Sequence, residues 1–213
     1  MNNLKEILKK FRLKINKCGS SYRNKKLKSK DFSVISNNCY AGIVYQYLGL
    51  KYNTPTIGLF FYAAEYIKFL ENFNHYIHCS LSFIDTNKSK YYKQLCESGY
   101  ENVIIGILED VEIVFLHYQS REEAKNKWEK RCKRLSKNII FKFNDQNLCT
   151  IETIKRFDEL PYKHKIFFSS KQYKNIKSCI WIEKYKKMKY IKEDYYSGHK
   201  YFNIIDYVNN IFK

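Results

Sequence analysis

The chain has little of what several large protein classes require. Two prolines and seven glycines among 213 residues are too few for a collagen-like or linker-rich protein. No apolar run reaches the roughly 18 residues that a membrane-spanning helix needs. Cys18, Cys39, Cys79, Cys96, Cys132, Cys149 and Cys179 form an odd set without a C-x-x-C pair, so neither a zinc ribbon nor a disulfide framework is expected. The opening residues are charged throughout and show no apolar segment of the secretory kind, which predicts a cytoplasmic protein with reduced thiols. A P-loop, a Gly-rich dinucleotide fingerprint and a Gly-x-Ser-x-Gly elbow are all missing. So is an Asp-x-Asp pair, which disfavours a metal-dependent sugar-nucleotide transferase.

What is present suffices for a folded core. Hydrophobic residues make up 45%, which excludes intrinsic disorder. The formal net charge is +18, a balance that first suggests nucleic acid. Two features disfavour that partner. Of 39 basic residues only six are Arg, alongside heavy use of Asn, Ile, Tyr and Phe, as A/T-rich coding would produce. The charge is also uneven: residues 1–30 carry eleven basic groups against Glu6 alone. A basic N-terminal segment plus local anion sites fits this distribution better than a continuous basic stripe, and an anionic small molecule or lipid surface is the expected partner.

Leu4, Ile7, Leu8, Phe11 and Ile15 recur at helical spacing between lysines, which predicts a basic amphipathic helix over 2–16. It packs on its own domain or lies on an anionic membrane surface, the former being the commoner case. Residues 17–30 read as a loop, which closes an N-terminal unit of 1–30 ahead of a single domain over 31–213. Strands are expected at 31–36, 57–61, 138–143, 165–169 and 179–183, with an extended stretch over 76–84. A hairpin over 103–116 turns at Glu109-Asp110, and helices follow Cys39, Phe61, Ser120, Thr150 and Lys200. This alternation predicts an α/β protein: a three-layer sandwich around a largely parallel or mixed central sheet, plus the N-terminal helix.

In such folds ligands bind beyond the carboxyl ends of the strands. Three loops qualify. Ser36, Asn37 and Asn38 precede a helix whose start offers unpaired N–H groups and a positive dipole end, a setting for an anion. Cys39 there would gain thiolate character, or else be a small buried apolar residue. His117 and Tyr118 end an apolar run, where the imidazole is a candidate base or substrate contact, or is simply satisfied at a strand end. Asp145 follows the next strand and is an alternative base. The helix after Ser120 adds Trp128, Arg131 and Arg134. Half of the arginines fall between 121 and 134, which suits bidentate phosphate recognition beside a ring; a solvated basic helix with Trp128 in the core is the alternative. His75-Tyr76-Ile77-His78-Cys79 is only superficially metal-like, because an extended chain turns His75 and His78 to opposite sides, so no metal site is expected.

Several stretches resemble a bacterial domain-of-unknown-function family whose members are commonly labelled exopolysaccharide biosynthesis protein. They are Phe32 to Tyr47, Thr54-Pro55-Thr56-Ile57-Gly58-Leu59-Phe60, Phe115-Leu116-His117-Tyr118, Ala124 through Trp128 to Arg131 and Arg134, and Phe157-Asp158-Glu159-Leu160. Tyr40-Ala41-Gly42 stands where that family has a Trp and two glycines, and Thr54 where Ser is common. The resemblance spans about 31–210 and implies an α/β fold and a setting in surface-polysaccharide synthesis, without supplying a reaction.

The leading expectation is a transferase acting on an activated sugar, such as a nucleotide sugar, or on a lipid-linked glycan precursor. Asn37 and Asn38 would hold sugar or phosphate oxygens, His117 or Asp145 would be the base, and Arg131 and Arg134 would neutralise pyrophosphate. A second expectation is a glycan acyltransferase or hydrolase. It would use Cys39 or Ser36 with His117, and the basic helix would hold coenzyme A phosphates. A third is a non-catalytic partner of a membrane polysaccharide assembly, attached peripherally to the inner membrane face through residues 1–30.

Overall fold

The computed structural model describes residues 14, 18–192, 194 and 198–212. Most of the helix expected over 2–16 therefore lies outside the described residues. The expected loop over 17–30 contains a helix, α1 (Ser20–Lys26), which starts after Gly19 in the left-handed region (φ 78°). It is docked: Arg23 Nε donates to the Tyr47 carbonyl (2.7 Å), and Asn24 Nδ2 to that of Leu48 (3.0 Å).

The α/β class follows from the eight strands that the described residues form, arranged in two four-stranded sheets. The first sheet is wholly parallel, in the order β1 (Ser33–Ser36), β6 (Ile139–Asn144), β7 (Lys165–Ser169), β8 (Cys179–Trp181). The second is antiparallel, in the order β2 (Leu59–Phe60), β5 (Val111–Phe115), β4 (Ile104–Leu108), β3 (Ser82–Ile84). The parallel sheet is the expected central sheet, and the antiparallel one is a second sheet that the sequence did not separate from it. The short β2 pairs with β5 (Leu59 opposite Phe115), and the residue after it meets the end of the parallel sheet, where Phe61 N donates to the Asn37 carbonyl (3.0 Å).

Both faces of the parallel sheet are covered, which explains its near-continuous apolar runs. Val34, Ile140, Ile166 and Phe168 pack under α2 (Tyr40–Leu48) and α8 (Ile204–Ile211). Ile35, Phe141, Phe143 and Phe167 face α3 (Ala63–Glu71) and α7 (Ile151–Glu159), in a core that Leu59, Ile113 and Phe115 of the antiparallel sheet also enter. That core is aromatic: Phe69 stacks on Phe61 (5.2 Å between centroids) and meets Trp128 at 6.3 Å. The outer face of the antiparallel sheet is closed by Leu95 of α5 (Tyr92–Glu97).

Local signals set the helix ends. Gly49 closes α2 in the left-handed region (φ 63°). Ser120 Oγ accepts from Glu123 N (3.0 Å) at the start of α6 (Arg121–Cys132), and Thr150 with Thr153 forms a capping box on α7. The stretch over 76–84 is extended only at β3. Its first part is the helical turn α4 (Phe73–Tyr76), prolonged by Ile77 N and Cys79 N donating to the Phe73 and Tyr76 carbonyls. Among the described residues no helix is long and apolar enough to cross a membrane.

Candidate functional site

The carboxyl ends of β1 and β6 lie side by side because those strands pair in parallel, with Ser36 opposite Lys142. The loop 54–58 brings the end of β5 up to the same place. Gly58 sits at φ 67°, and its carbonyl accepts from Leu116 N (3.0 Å) and His117 N (3.1 Å). A Cβ on Gly58 would come within 3.2 Å of His117 Cβ, so this close approach needs glycine in both conformation and size. Between these elements and α6 opens a cleft of about 900 Å³.

Asn38, Cys39, His117, Tyr118 and Arg131 all line this cleft. Arg131 is 8% exposed and donates to the Tyr118 hydroxyl (2.7 Å), which in turn donates to the Ile57 carbonyl. Its guanidinium also lies 5.5 Å from the Tyr52 ring centroid. Among the described residues no carboxylate is within ion-pair reach of it, although Glu123 is near enough to be electrostatically coupled to it, so a buried fork of N–H donors lines the cleft without an ion pair. Lys127, one turn earlier, lines the cleft as well, paired to Glu123. Partial desolvation at the cleft lowers the pKa of His117, although the side chain is exposed, and so favours the neutral imidazole.

Other residues singled out from the sequence sit elsewhere. Ser36 and Asn37 are fully buried behind the cleft wall. Ser36 Oγ donates to the Asn38 carbonyl (2.6 Å) and accepts from Ala41 N (3.1 Å); Asn38 Oδ1 accepts from Tyr40 N (3.1 Å). Two of the first N–H groups of α2, those of Tyr40 and Ala41, are therefore bonded to the chain's own side chains. Ala41, where the resembling family has glycine, is fully buried, while Gly42 lines the cleft. Asp145 faces inward: its carboxylate accepts from Ser170 N and Oγ (both 2.7 Å) and from Ile191 N (2.8 Å), a loop-fixing role. Trp128 is 1% exposed in the core. Arg134 does not reach the cleft. Cys39 does reach it, but burial pushes its thiol up to about 12, against the thiolate expected at a helix start.

Two groups of residues were missed. Tyr52, Tyr62 and Tyr100 give the cleft aromatic walls, and Glu97 is the acidic side chain in its lining. No pattern in the sequence marks the tyrosines among twenty. Behind the wall, Lys142 is fully buried and ion-paired to Asp194, itself 1% exposed. Asn38 joins them, accepting from Lys142 Nζ (3.2 Å) and donating to Asp194 Oδ1 (2.7 Å). Burial lowers the Lys142 pKa and the Asp194 carboxylate opposes that. A lysine inside the apolar run of β6 was the available signal.

A family model described as a domain of unknown function (DUF1919) matches residues 9–212. The chain is 30% identical over 189 residues to an uncharacterised protein of Haemophilus influenzae (strain ATCC 51907 / DSM 11121 / KW20 / Rd), a match that covers 86% of this chain and 85% of that protein. The chain belongs to the DUF1919 family.

Proposed function

We propose that this chain, as a member of that family, is a transferase acting on an activated sugar or lipid-linked glycan precursor bound in the cleft, in the making of exopolysaccharide or capsular polysaccharide. The observation that carries the reading is the meeting of Arg131, Lys127 and His117 around one cleft of about 900 Å³, a volume suited to a nucleotide sugar. Arg131 and Lys127 take the diphosphate and stabilise the charge it gains on departure. The two cations act in place of a metal, in keeping with the missing Asp-x-Asp. Neutral His117 accepts the proton of the acceptor hydroxyl as its oxygen bonds to the sugar carbon and the carbon–phosphate-oxygen bond breaks. Tyr52 and Tyr118 offer ring faces to the base or sugar. The chain works in the cytoplasm, at the inner membrane face, with residues 1–30 as the contact to anionic lipid.

The acyl-transfer alternative calls on Cys39 or Ser36; burial pushes the Cys39 thiol up to about 12, and Ser36 is fully buried with its hydroxyl donating to the Asn38 carbonyl, so neither favours it. A thermal-shift panel tests the proposal, with nucleotide sugars, polyprenyl phosphate analogues, coenzyme A, acetyl-coenzyme A and short DNA. A ligand at 100 times its Kd stabilises by about 2.7 kcal/mol. A rise with a nucleotide sugar or polyprenyl phosphate is the expected result. A rise with coenzyme A alone, with DNA alone, or with nothing overturns it; the last outcome favours a non-catalytic partner of a membrane assembly.

A further inference from the structure

The stretch set aside as an extended chain is a helical turn, and this changes its chemistry. His75 and Cys79 are four residues apart on α4 and its prolongation, so they share a face. The β4–β5 turn brings Glu109 to the same point. Glu109 Oε2 is 2.8 Å from His75 Nε2, Cys79 Sγ is 3.4 Å from that same nitrogen, and Cys79 Sγ is 3.3 Å from Glu109 Oε1.

Three features distinguish this cluster from a chance surface pairing. All three ligand-type atoms lie within 4.8 Å of one another. Glu109 occupies a left-handed turn position (φ 54°) where glycine or asparagine is usual, and the strained turn aims its carboxylate at the helix. The neighbouring Asp110 pins that turn to the helix by accepting from the Tyr76 hydroxyl (2.8 Å) and pairing with Lys68. A Cys-His-Glu relay is a poor description, because thiol and carboxylate meet one ring nitrogen rather than opposite ones. The groups converge on a point, as ligands do. None of the three lines the cleft, so the inference stands apart from the proposed transferase activity.

We propose that His75 Nε2, Cys79 Sγ and Glu109 bind one divalent cation of the zinc class, with a fourth position open to solvent. Neighbouring ligands of tetrahedral zinc are separated by about 3.3–3.8 Å, and opening the His75–Glu109 edge by about half an ångström meets that spacing. The mixed nitrogen, sulfur and carboxylate donors select zinc-class ions over magnesium or calcium. On binding, the Cys79 S–H bond breaks, its proton goes to solvent, and the sulfur–metal bond forms; the ring proton that His75 Nε2 donates to Glu109 is given up, the neutral ring then carrying its proton on Nδ1, and the freed Nε2 lone pair goes to the metal. The ion would tie α4 to the β4–β5 hairpin.

The test uses the full chain, stripped with a chelator and titrated with Co²⁺ and then Zn²⁺. One equivalent of Co²⁺ should give a thiolate-to-cobalt charge-transfer band that Zn²⁺ abolishes and excess Mg²⁺ or Ca²⁺ does not. Cys79→Ser should lose the band while Cys149→Ser keeps it. Glu109→Gln, at an exposed position, should weaken Zn²⁺ binding by about tenfold or more and serves as the second variant should Cys79→Ser melt early. A band that persists in Cys79→Ser, affinity unchanged in Glu109→Gln, or no saturable one-to-one binding overturns the proposal.

Discussion

The two walls of the cleft use polar residues in opposite ways. Behind the wall at the parallel-sheet edge, Ser36, Asn38, Lys142 and Asp194 are nearly or wholly buried, and their groups bond mostly to one another. On the α6 wall, Arg131 has a neutral partner in Tyr118, and His117 is open to the cleft with its charge suppressed. A buried polar group already satisfied has nothing left to offer a ligand, whereas a guanidinium without an ion pair and a neutral imidazole do. The first wall maintains the shape; the second carries the chemistry.

The largest effect that would sharpen this contrast is on stability. Lys142→Met leaves the Asp194 carboxylate buried and unpaired, and should cost about 3–5 kcal/mol in chemical denaturation. Lys142→Met with Asp194→Leu should recover much of that loss. A single replacement costing under about 1 kcal/mol would break the division between the walls.

Next comes His117. His117→Gln should lower turnover by about a hundredfold or more while ligand affinity changes little. Equal loss in affinity would make His117 a binding group and not the base.

Acid should weaken the fold modestly. The folded-state pKa of His117 is lowered, so the unfolded chain binds the proton first as pH falls below about 6.5. Stability is full above that value and declines as pH falls towards the folded pKa. His164 and His199 are lowered by burial too, so His117→Gln should flatten only part of the slope below about pH 6.5 measured by urea denaturation.

The smallest effect is at Cys39. With its thiol pushed up to about 12, it should label far more slowly at pH 8 than exposed Cys18, and Cys39→Ser should retain activity. Fast labelling or loss of activity in that variant would restore the thiol reading.

The residues of the chemical wall were legible in the sequence because they break its habits. Arg131 stands out in a lysine-rich chain, and His117 ends an apolar run at a strand terminus. Asn38 and Cys39 were found by their place before a helix. The strands and the 103–116 hairpin could be read from apolar runs and turn residues, and the capped helices from Ser120, Thr150 and Gly49. The division into two sheets could not, since it depends on β2 choosing β5 over β1, a non-local pairing of two residues. Nor could the roles of Asn37, whose buried Nδ2 donates to Asn144 Oδ1 (2.8 Å), and Asp145, because a polar side chain at a strand end looks the same whether it faces a ligand or bonds inward. His75 and Cys79 were hidden by reading a helical turn as extended: four extended residues would hold them about 13 Å apart, whereas one helical turn brings them together.

The measurement that bears most directly on the cleft is the affinity of a nucleotide sugar, by calorimetric titration, for wild type and Arg131→Gln, the latter chosen to keep a donor near Tyr118. Saturable one-to-one binding that weakens about tenfold or more in the variant, with melting little changed, is the expected result, since a charge-assisted contact contributes about 1.5–3 kcal/mol. Equal affinity in the two proteins would contradict the assignment of this wall as the ligand site.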